Sequence, residues 1–483
     1  MVKNRFNNLT SKQWLPFQKS WYKFDSITEL LIKNILFFTK VDDETNRSPN
    51  IFIDADDKVI KQLAKDELLM NRNFITKKNL EKTDKLDFVI FNLLDIPGQK
   101  READKIIHQL LDDISSIQSK IIHRKFILIL IKNEFNKGKF IPRAWELAKT
   151  LQQYLSLKDE KIGVDLREEN LNQEKQKPNY YKTKNDIVYS LYFRKDERSK
   201  FDGMSLKHPF SYYNTKQERA KIFNRKFASW QIVKPPPRKK DEILHPAKYP
   251  EVLIQSFIEH FTDEGDNVFD PMSGTGSTQV AALKLGRNAF GTELSEFFGK
   301  IANDRCKKET EKTSLFEKKD VKFSIKIKDA VKISKKDFQP VDYIITSPPY
   351  WDMLNMKGAE NQAKRKAKGL LLNYSDSKDD IGNIEDYDQF LNELVRIYFN
   401  LFDLLKPGKY FTVIVKNIKK KGSNYPFAWD LSERLSKKYI LCPESFWFQD
   451  DQSIAPYGYG NTWVSNTFHH YCLTFQKPGS VVK

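Results

Sequence analysis

"VFDPMSGTGSTQVAALKLGRNAFGTELS", residues 268–295, reads as a strand ending on an acid, a glycine-containing turn, a helix, a second strand and a second acid. A helix joining two strands is a crossover, and it makes those strands parallel. Gly274 and Gly276 stand at the carboxyl end of the first strand, where doubly wound sheets bind ligands and where a missing side chain lets backbone approach closely. Glu293, at the end of the second strand, can accept hydrogen bonds from both hydroxyls of a ribose. Together these features read as a nucleoside-cofactor site. The glycines alone are weak, because Ser277-Thr278-Gln279 follow where a dinucleotide fingerprint needs its third glycine, and they suit a structural turn as well. Asp270 sharpens the reading. An acid just before the loop repels a pyrophosphate but suits an ammonium or sulfonium group, and S-adenosylmethionine carries both.

Outward from this stretch the pattern repeats. "FSIKIKD", "VDYIITS", "YFTVIVKN" and "HHYCLTFQK" are strand-like and alternate with helical runs, one extending to about Lys307 and another near Tyr387 to Leu405. Alternating β and α units imply a mainly parallel sheet covered on both faces, so the fold class is α/β, doubly wound. The amino-terminal half matches this pattern in order. "KFILILIKN" (125–133) parallels "KYFTVIVKN" (409–417), and "LDFVIFN" (86–92) parallels "VDYIITS" (341–347). "FDSITELLIKNILFF" (24–38) precedes "NIFID" (50–54) much as "KYPEVLIQSFIEHF" (248–261) precedes "NVFD" (267–270). We read a duplication whose first copy has lost its chemistry. No glycine loop follows Asp54, and Leu93-Leu94-Asp95 stand where Pro348-Pro349-Tyr350 would. The expected organisation is a degenerate copy over 1–200, a connector over 201–244 marked by Pro235-Pro236-Pro237, and a catalytic domain over 245–483.

"VDYIITSPPYWD" (341–352) carries a buried strand to the sheet edge and ends it on two prolines, which fix φ and stiffen the turn. That turn presents two acceptors, the Ser347 hydroxyl and the Pro348 carbonyl, to an exocyclic amine. Such an amine is a poor nucleophile while its lone pair is delocalised into a ring. Holding its hydrogens out of plane frees the pair to attack a methyl sulfonium. Tyr350, together with Trp351, offers a π face on which a flipped base can stack.

"DPMSGTG" with "TSPPYW" closely resembles the amino-group DNA methyltransferases, the N4-cytosine and N6-adenine enzymes that use S-adenosylmethionine. "HPAKYPEVLIQSFI" (245–258) looks like the family segment flanking the methionine part of the cofactor. The resemblance implies a Rossmann-like methyltransferase sheet in which Asp270, Pro271, Gly274 and Gly276 hold the cofactor, Glu293 its ribose and Asp329 its adenine. It assigns catalysis to Ser347, Pro348, Pro349 and Tyr350. There are two departures. Tyr249 stands where the family usually has Lys, and the cofactor loop precedes the catalytic turn, the reverse of the order in many members with S-P-P. In that family a serine at the start of the turn more often accompanies cytosine than adenine, so the resemblance favours N4 of cytosine over N6 of adenine. Methylation of an RNA base and a non-catalytic DNA-binding scaffold are the rival readings.

The composition agrees with a polyanionic partner: 82 Lys and Arg against 64 Asp and Glu leave a net charge of +18. A Lys-rich genome accounts for the same excess, so charge supports DNA without establishing it. Lys364-Arg365-Lys366 and Lys368, next to the catalytic turn, suit phosphate contacts or a solvated loop. "APYGYGNTW" (455–463) suits a cleft wall or a packed turn. Cys306, Cys442 and Cys472 form no framework, and no His or Cys cluster has metal-ligand spacing, so no metal is expected. With neither a signal core nor a membrane span, a cytoplasmic enzyme is expected. Its partners would be DNA, with the target base flipped out, and a cognate restriction endonuclease.

Overall fold

Strands with both faces apolar, such as Phe88–Phe91 and Tyr343–Ile345, must be covered on both sides, and here they are fully buried. The computed structural model describes residues 7–41, 47–94, 100–136, 139–167, 186–199, 227–234, 249–316, 320–349, 351, 380–420, 423–450 and 464–479. The chain divides into two units. The first comprises Met1–Asn214, Asn417–Pro426 and Asp451–His469, and the second comprises Thr215–Lys416, Phe427–Asp450 and His470–Lys483.

The first unit contains β1 (Trp21–Phe24), β2 (Asn50–Asp54), β3 (Asn73–Ile75), β4 (Leu86–Asn92), β5 (Ile121–Ile131), the hairpin β6 (Glu134–Asn136) and β7 (Lys139–Ile141), β8 (Ser156–Asp165) and β9 (Ile187–Arg194). Besides a single turn at Ser11–Trp14, its α-helices among the described residues are α1 (Ile27–Phe38), α2 (Asp57–Ala64), α3 (Lys100–Ile117) and α4 (Arg143–Gln152). The sheet order is β1-β8-β9-β5-β4-β2-β3, parallel except where β9 meets β5 and β8.

The remaining strands are β10 (Trp230–Ile232), β11 (Asn267–Asp270), β12 (Asn288–Glu293), β13 (Phe323–Ile327), β14 (Val341–Thr346), β15 (Leu405–Val415), the hairpin β16 (Ile418–Lys420) and β17 (Ser423–Tyr425), β18 (Ile440–Leu441), β19 (Phe446–Phe448) and β20 (His469–Gln476). With them run α5 (Glu251–Phe261), α6 (Ser277–Lys284), α7 (Glu296–Phe316), α8 (Tyr387–Asn400) and α9 (Phe427–Leu435). The second sheet is ordered β10-β19-β20-β15-β14-β11-β12-β13, with β15 and β20 antiparallel.

The two sheets are one Rossmann-like pattern used twice. β2, β3, β4, β5, β8 and β9 take the places of β11, β12, β14, β15, β19 and β20. The edge strands β1 and β10 each pair in parallel with the neighbouring strand, and β13 is an addition. Even an irregularity recurs: the register of β4 against β5 shifts between Leu86 and Phe88, and that of β14 against β15 between Val341 and Tyr343.

The division is not a single cut in the sequence. Trp230–Ile232, inside the stretch read as a connector, is an edge strand of the second sheet. The first unit also takes in two segments of the carboxyl-terminal half, held by buried acids of β8. Asn417 Nδ2 donates to Glu160 Oε1 at 2.7 Å, and Ser465 N donates to Asp159 Oδ2 at 2.8 Å. Partners this distant in sequence leave no local pattern. Among the described residues no helix is long and apolar enough to cross a membrane.

Candidate active site

The site grows from the carboxyl ends of β11, β12, β13 and β14. β11 buries Val268 and Phe269 and then turns through Pro271–Gly276 into α6. The turn needs its glycines: Gly274 has φ 52° and Gly276 φ 77°, and a Cβ on Gly276 would lie 2.9 Å from the Ala302 Cβ of α7. Gly276 thus closes the helix packing behind the loop, while Gly274 faces the ligand side. A cleft open at its mouth is lined by Pro271, Gly274, Glu293, Asp329, Ser347, Pro348 and Pro349 together.

Glu293 is tied to the loop opposite. Its Oε2 accepts from Gly274 N at 2.7 Å and its Oε1 from Ser295 N at 2.9 Å. Burial pushes its carboxyl up to about 7, against the pull of these backbone hydrogen bonds. Asp329 caps the short turn Ala330–Lys332, its Oδ1 accepting from Val331 N at 2.9 Å, and pairs with Lys332 at 3.3 Å. A carboxyl group at each of two adjacent strand ends, beside the glycine loop, fits the hydroxyls and base edge of a nucleoside.

β14 lies buried between β11 and β15 and delivers Ser347-Pro348-Pro349 to the same cleft. Trp351 is not a free stacking surface. It is 3% exposed, its Nε1 donates to the Glu385 carbonyl at 3.1 Å, and its ring meets Tyr387 edge-on at 5.1 Å. It anchors the turn from behind. Tyr350, the basic stretch 364–368 and the aromatic loop 455–463 lie outside the described residues, as do residues 245–248 of the segment before the cofactor loop.

Asp270 is placed differently from the cation ligand expected of it. The side chain is fully buried beneath the loop and is not part of the cleft wall. Its Oδ2 accepts from the Tyr249 hydroxyl at 3.1 Å and the Thr278 hydroxyl at 2.7 Å, and its Oδ1 from Met272 N at 3.0 Å. Burial raises its carboxyl above the usual range. Asp270 therefore joins the loop, α6 and the segment before α5 through one carboxyl group.

Tyr249, within the segment expected to flank the cofactor, also lines the cleft, as do Phe298, Lys328, Asp380 and Ile397, which pattern reading did not assign to it. Tyr249 had a signal as the departure from the family's lysine, and a neutral phenol now bridges Asp270 and Thr278. Asp380 caps its own turn, its Oδ1 accepting from Gly382 N at 2.9 Å. Ile397 belongs to α8, where its apolar spacing is that of any core residue.

A family model described as DNA methylase, of the N6/N4 methyltransferase type, matches residues 4–304. The type II methyltransferase M.MjaI of Methanocaldococcus jannaschii is 35% identical over 136 residues, 26% of this chain and 41% of that protein. The orphan methyltransferase M.BamHII of Bacillus amyloliquefaciens is 38% identical over 113 residues, 22% of this chain and 40% of that protein. The chain thus spans less than half the length of these relatives. Among solved structures, an rRNA methylase from Streptococcus thermophilus covers 48% of this chain and 98% of its own, with 10% identity and a TM-score of 0.27.

Proposed function

The chain belongs to the N6/N4 DNA methylase family, and from that premise we propose that it transfers a methyl group from S-adenosylmethionine to an exocyclic base amine in DNA, with N4 of cytosine favoured over N6 of adenine. The observation that carries this reading is that Glu293 and Asp329, on one side, and Ser347-Pro348-Pro349, on the other, line a single cleft. Bound there, S-adenosylmethionine supplies a methyl group made electrophilic by its sulfonium.

The chain's residues supply binding and alignment. Glu293 accepts from the ribose hydroxyls and Asp329 from the adenine, with the Pro271–Gly274 backbone against the amino-acid part. Ser347 Oγ and the Pro348 carbonyl accept the two amine hydrogens of a base flipped from the duplex, turning the nitrogen lone pair toward the methyl. Held in this way, the nitrogen would take the methyl group from the sulfonium, whose sulfur would keep the electron pair of the broken bond, and one amine proton would pass to solvent. Two prolines after Ser347 keep both acceptors aimed before the base arrives, so little reorganisation remains for the reaction itself.

The preference for cytosine rests on the family trend in which a serine at the first position of this turn more often accompanies cytosine, and not on an energy, since cytosine N4 and adenine N6 are both ring-conjugated amines offering two hydrogens. Incubation of purified protein with labelled cofactor and duplex DNA, then nucleoside digestion and mass spectrometry, should yield N4-methylcytosine. N6-methyladenine as the sole product would overturn the base assignment, and label transferred only to RNA would overturn the substrate.

A further inference from the structure

At the edge that forms the cleft in the second unit, the first unit carries a lysine held by two carboxylates. Lys77 Nζ lies 3.1 Å from Asp54 Oδ2 and 2.7 Å from Asp113 Oδ2. Matching registers give each residue a counterpart. Asn50 faces Asn73 as Asn267 faces Asn288, so Asp54 takes the place of Pro271, and Lys77, just beyond β3, that of Thr292. Lys120 N donates to the Ile117 carbonyl as Leu404 N does to that of Leu401, which sets Asp113 of α3 at the place of Ile397 in α8. Pro271 and Ile397 are walls of the cleft. The Thr292 hydroxyl merely donates to the Pro271 carbonyl, at 2.7 Å. Positions that stand apart around the cleft in one unit are tied together by a single ammonium group in the other.

The rest of that edge has changed in the same sense. α2 begins at Asp57, capped by Asp56, whose carboxylate accepts from Lys58 N at 2.8 Å. Residues 55 and 56 alone therefore connect β2 to its helix, where Met272–Gly276 form the ligand-facing turn in the second unit. Lys78 stands at the place of Glu293, and Ile53, buried, at that of Asp270.

We propose that Lys77 is a strap that seals the first unit's relic cleft, leaving the chain with one nucleoside-cofactor site. The identity of that cofactor rests on the function proposed above; the strap does not. One oxygen of each acid pairs with the lysine, while Asp113 Oδ1 accepts from Gln109 Nε2 at 2.9 Å, and the ribose position offers a cation to hydroxyls that need an acceptor. Burial pulls the Lys77 amine down, but hydrogen bonds to Asp113 and Asp54 outweigh it and hold the amine above its usual value.

Limited acetylation of the full chain with acetic anhydride, read by peptide mass spectrometry, tests the strap. Lys77, referenced to Lys78, should acetylate several-fold faster in the Asp54→Asn/Asp113→Asn variant than in the wild type, and equal rates overturn the strap. Calorimetric titration with S-adenosylhomocysteine tests the seal. One molecule should bind per wild-type chain and none per Gly274→Val/Glu293→Ala chain. Two per wild-type chain, or one surviving in that variant, overturns the seal. Failure of the wild type to bind at all overturns the proposed function instead, and the acetylation result still decides the strap.

Discussion

The two units agree at the amino ends of their strands to the level of single hydrogen bonds and part company at the carboxyl ends. Asn50 N donates to Asp87 Oδ2 at 3.0 Å and Asn267 N to Asp342 Oδ2 at 3.1 Å, while their side-chain amides donate to the carbonyls of Lys85 and Pro340. Arg72 Nε reaches the Thr39 hydroxyl at 2.8 Å, and Arg287 Nε the Thr262 hydroxyl at 3.1 Å. Lys195 Nζ donates to the carbonyls of Gln118 and Ile121 as Lys477 Nζ does to those of Phe402 and Leu405. These bonds satisfy polar groups where chain enters the sheet, and stranding one in a buried position costs about 1–3 kcal/mol. A unit without a glycine loop, a ribose acceptor or a proline-locked turn still needs these bonds, and those three positions are the ones that differ between the units.

The comparison breaks most visibly at the catalytic turn. Ser347→Ala should lower the methylation rate roughly 100- to 1,000-fold, on the scale of losing one transition-state hydrogen bond. Affinity for S-adenosylhomocysteine, measured by calorimetry, should barely change. Asn92→Ala, at the matching position of the first unit, should leave both unaltered; a loss of activity there would show that the first unit takes part in the chemistry.

Beneath the loop, Asp270→Ala removes a carboxyl that three donors share, and the Met272 amide loses its partner. Stability should fall by about 2 kcal/mol, read as a lower urea midpoint for the second unit. An unchanged midpoint would mean the loop repacks without its anchor.

At the ribose position, Glu293→Ala should weaken cofactor binding about tenfold, the equivalent of one lost charge-assisted hydrogen bond, while Lys78→Ala should do nothing. Binding also carries a pH signature. A carboxyl near 7 is protonated in much of the population at pH 6, and the ribose hydroxyls prefer the carboxylate. Affinity should therefore rise from pH 6 to pH 8 in the wild type and stay flat in Glu293→Ala. A flat profile in both would remove Glu293 from the site.

The smallest effect sits on a turn the units share. Gly408 has φ 75° and its counterpart Arg124 φ 63°, a left-handed conformation that glycine adopts without strain. Nothing crowds a Cβ at position 408, so Gly408→Ala should lower stability by about 1 kcal/mol through backbone strain alone. Arg124→Gly relieves the same strain and should not destabilise the first unit thermally. A loss of melting temperature in Arg124→Gly would show that the Arg124–Glu197 contact matters more than the backbone.

Local chemistry decided much of this protein before any contact formed. β4, β11 and β12 span the residues that their apolar runs predicted, because strand ends are marked by turn-forming residues beside them. The glycine turn, the acid after β12 and the prolines after β14 were legible for the same reason, and so was the repeat, since corresponding strands keep corresponding patterns. α7 runs on past Lys307 to Phe316, because no strong breaker stands there to end it. What the sequence left open depends on partners far along the chain. Whether Asp270 faces ligand or core is set by the arrival of Tyr249 and Thr278 from other segments, and whether position 397 or 113 lines a cleft or ties one shut is set by what the opposite wall presents. A side chain at a strand end can turn either way, and only the packing of helices and loops around it chooses.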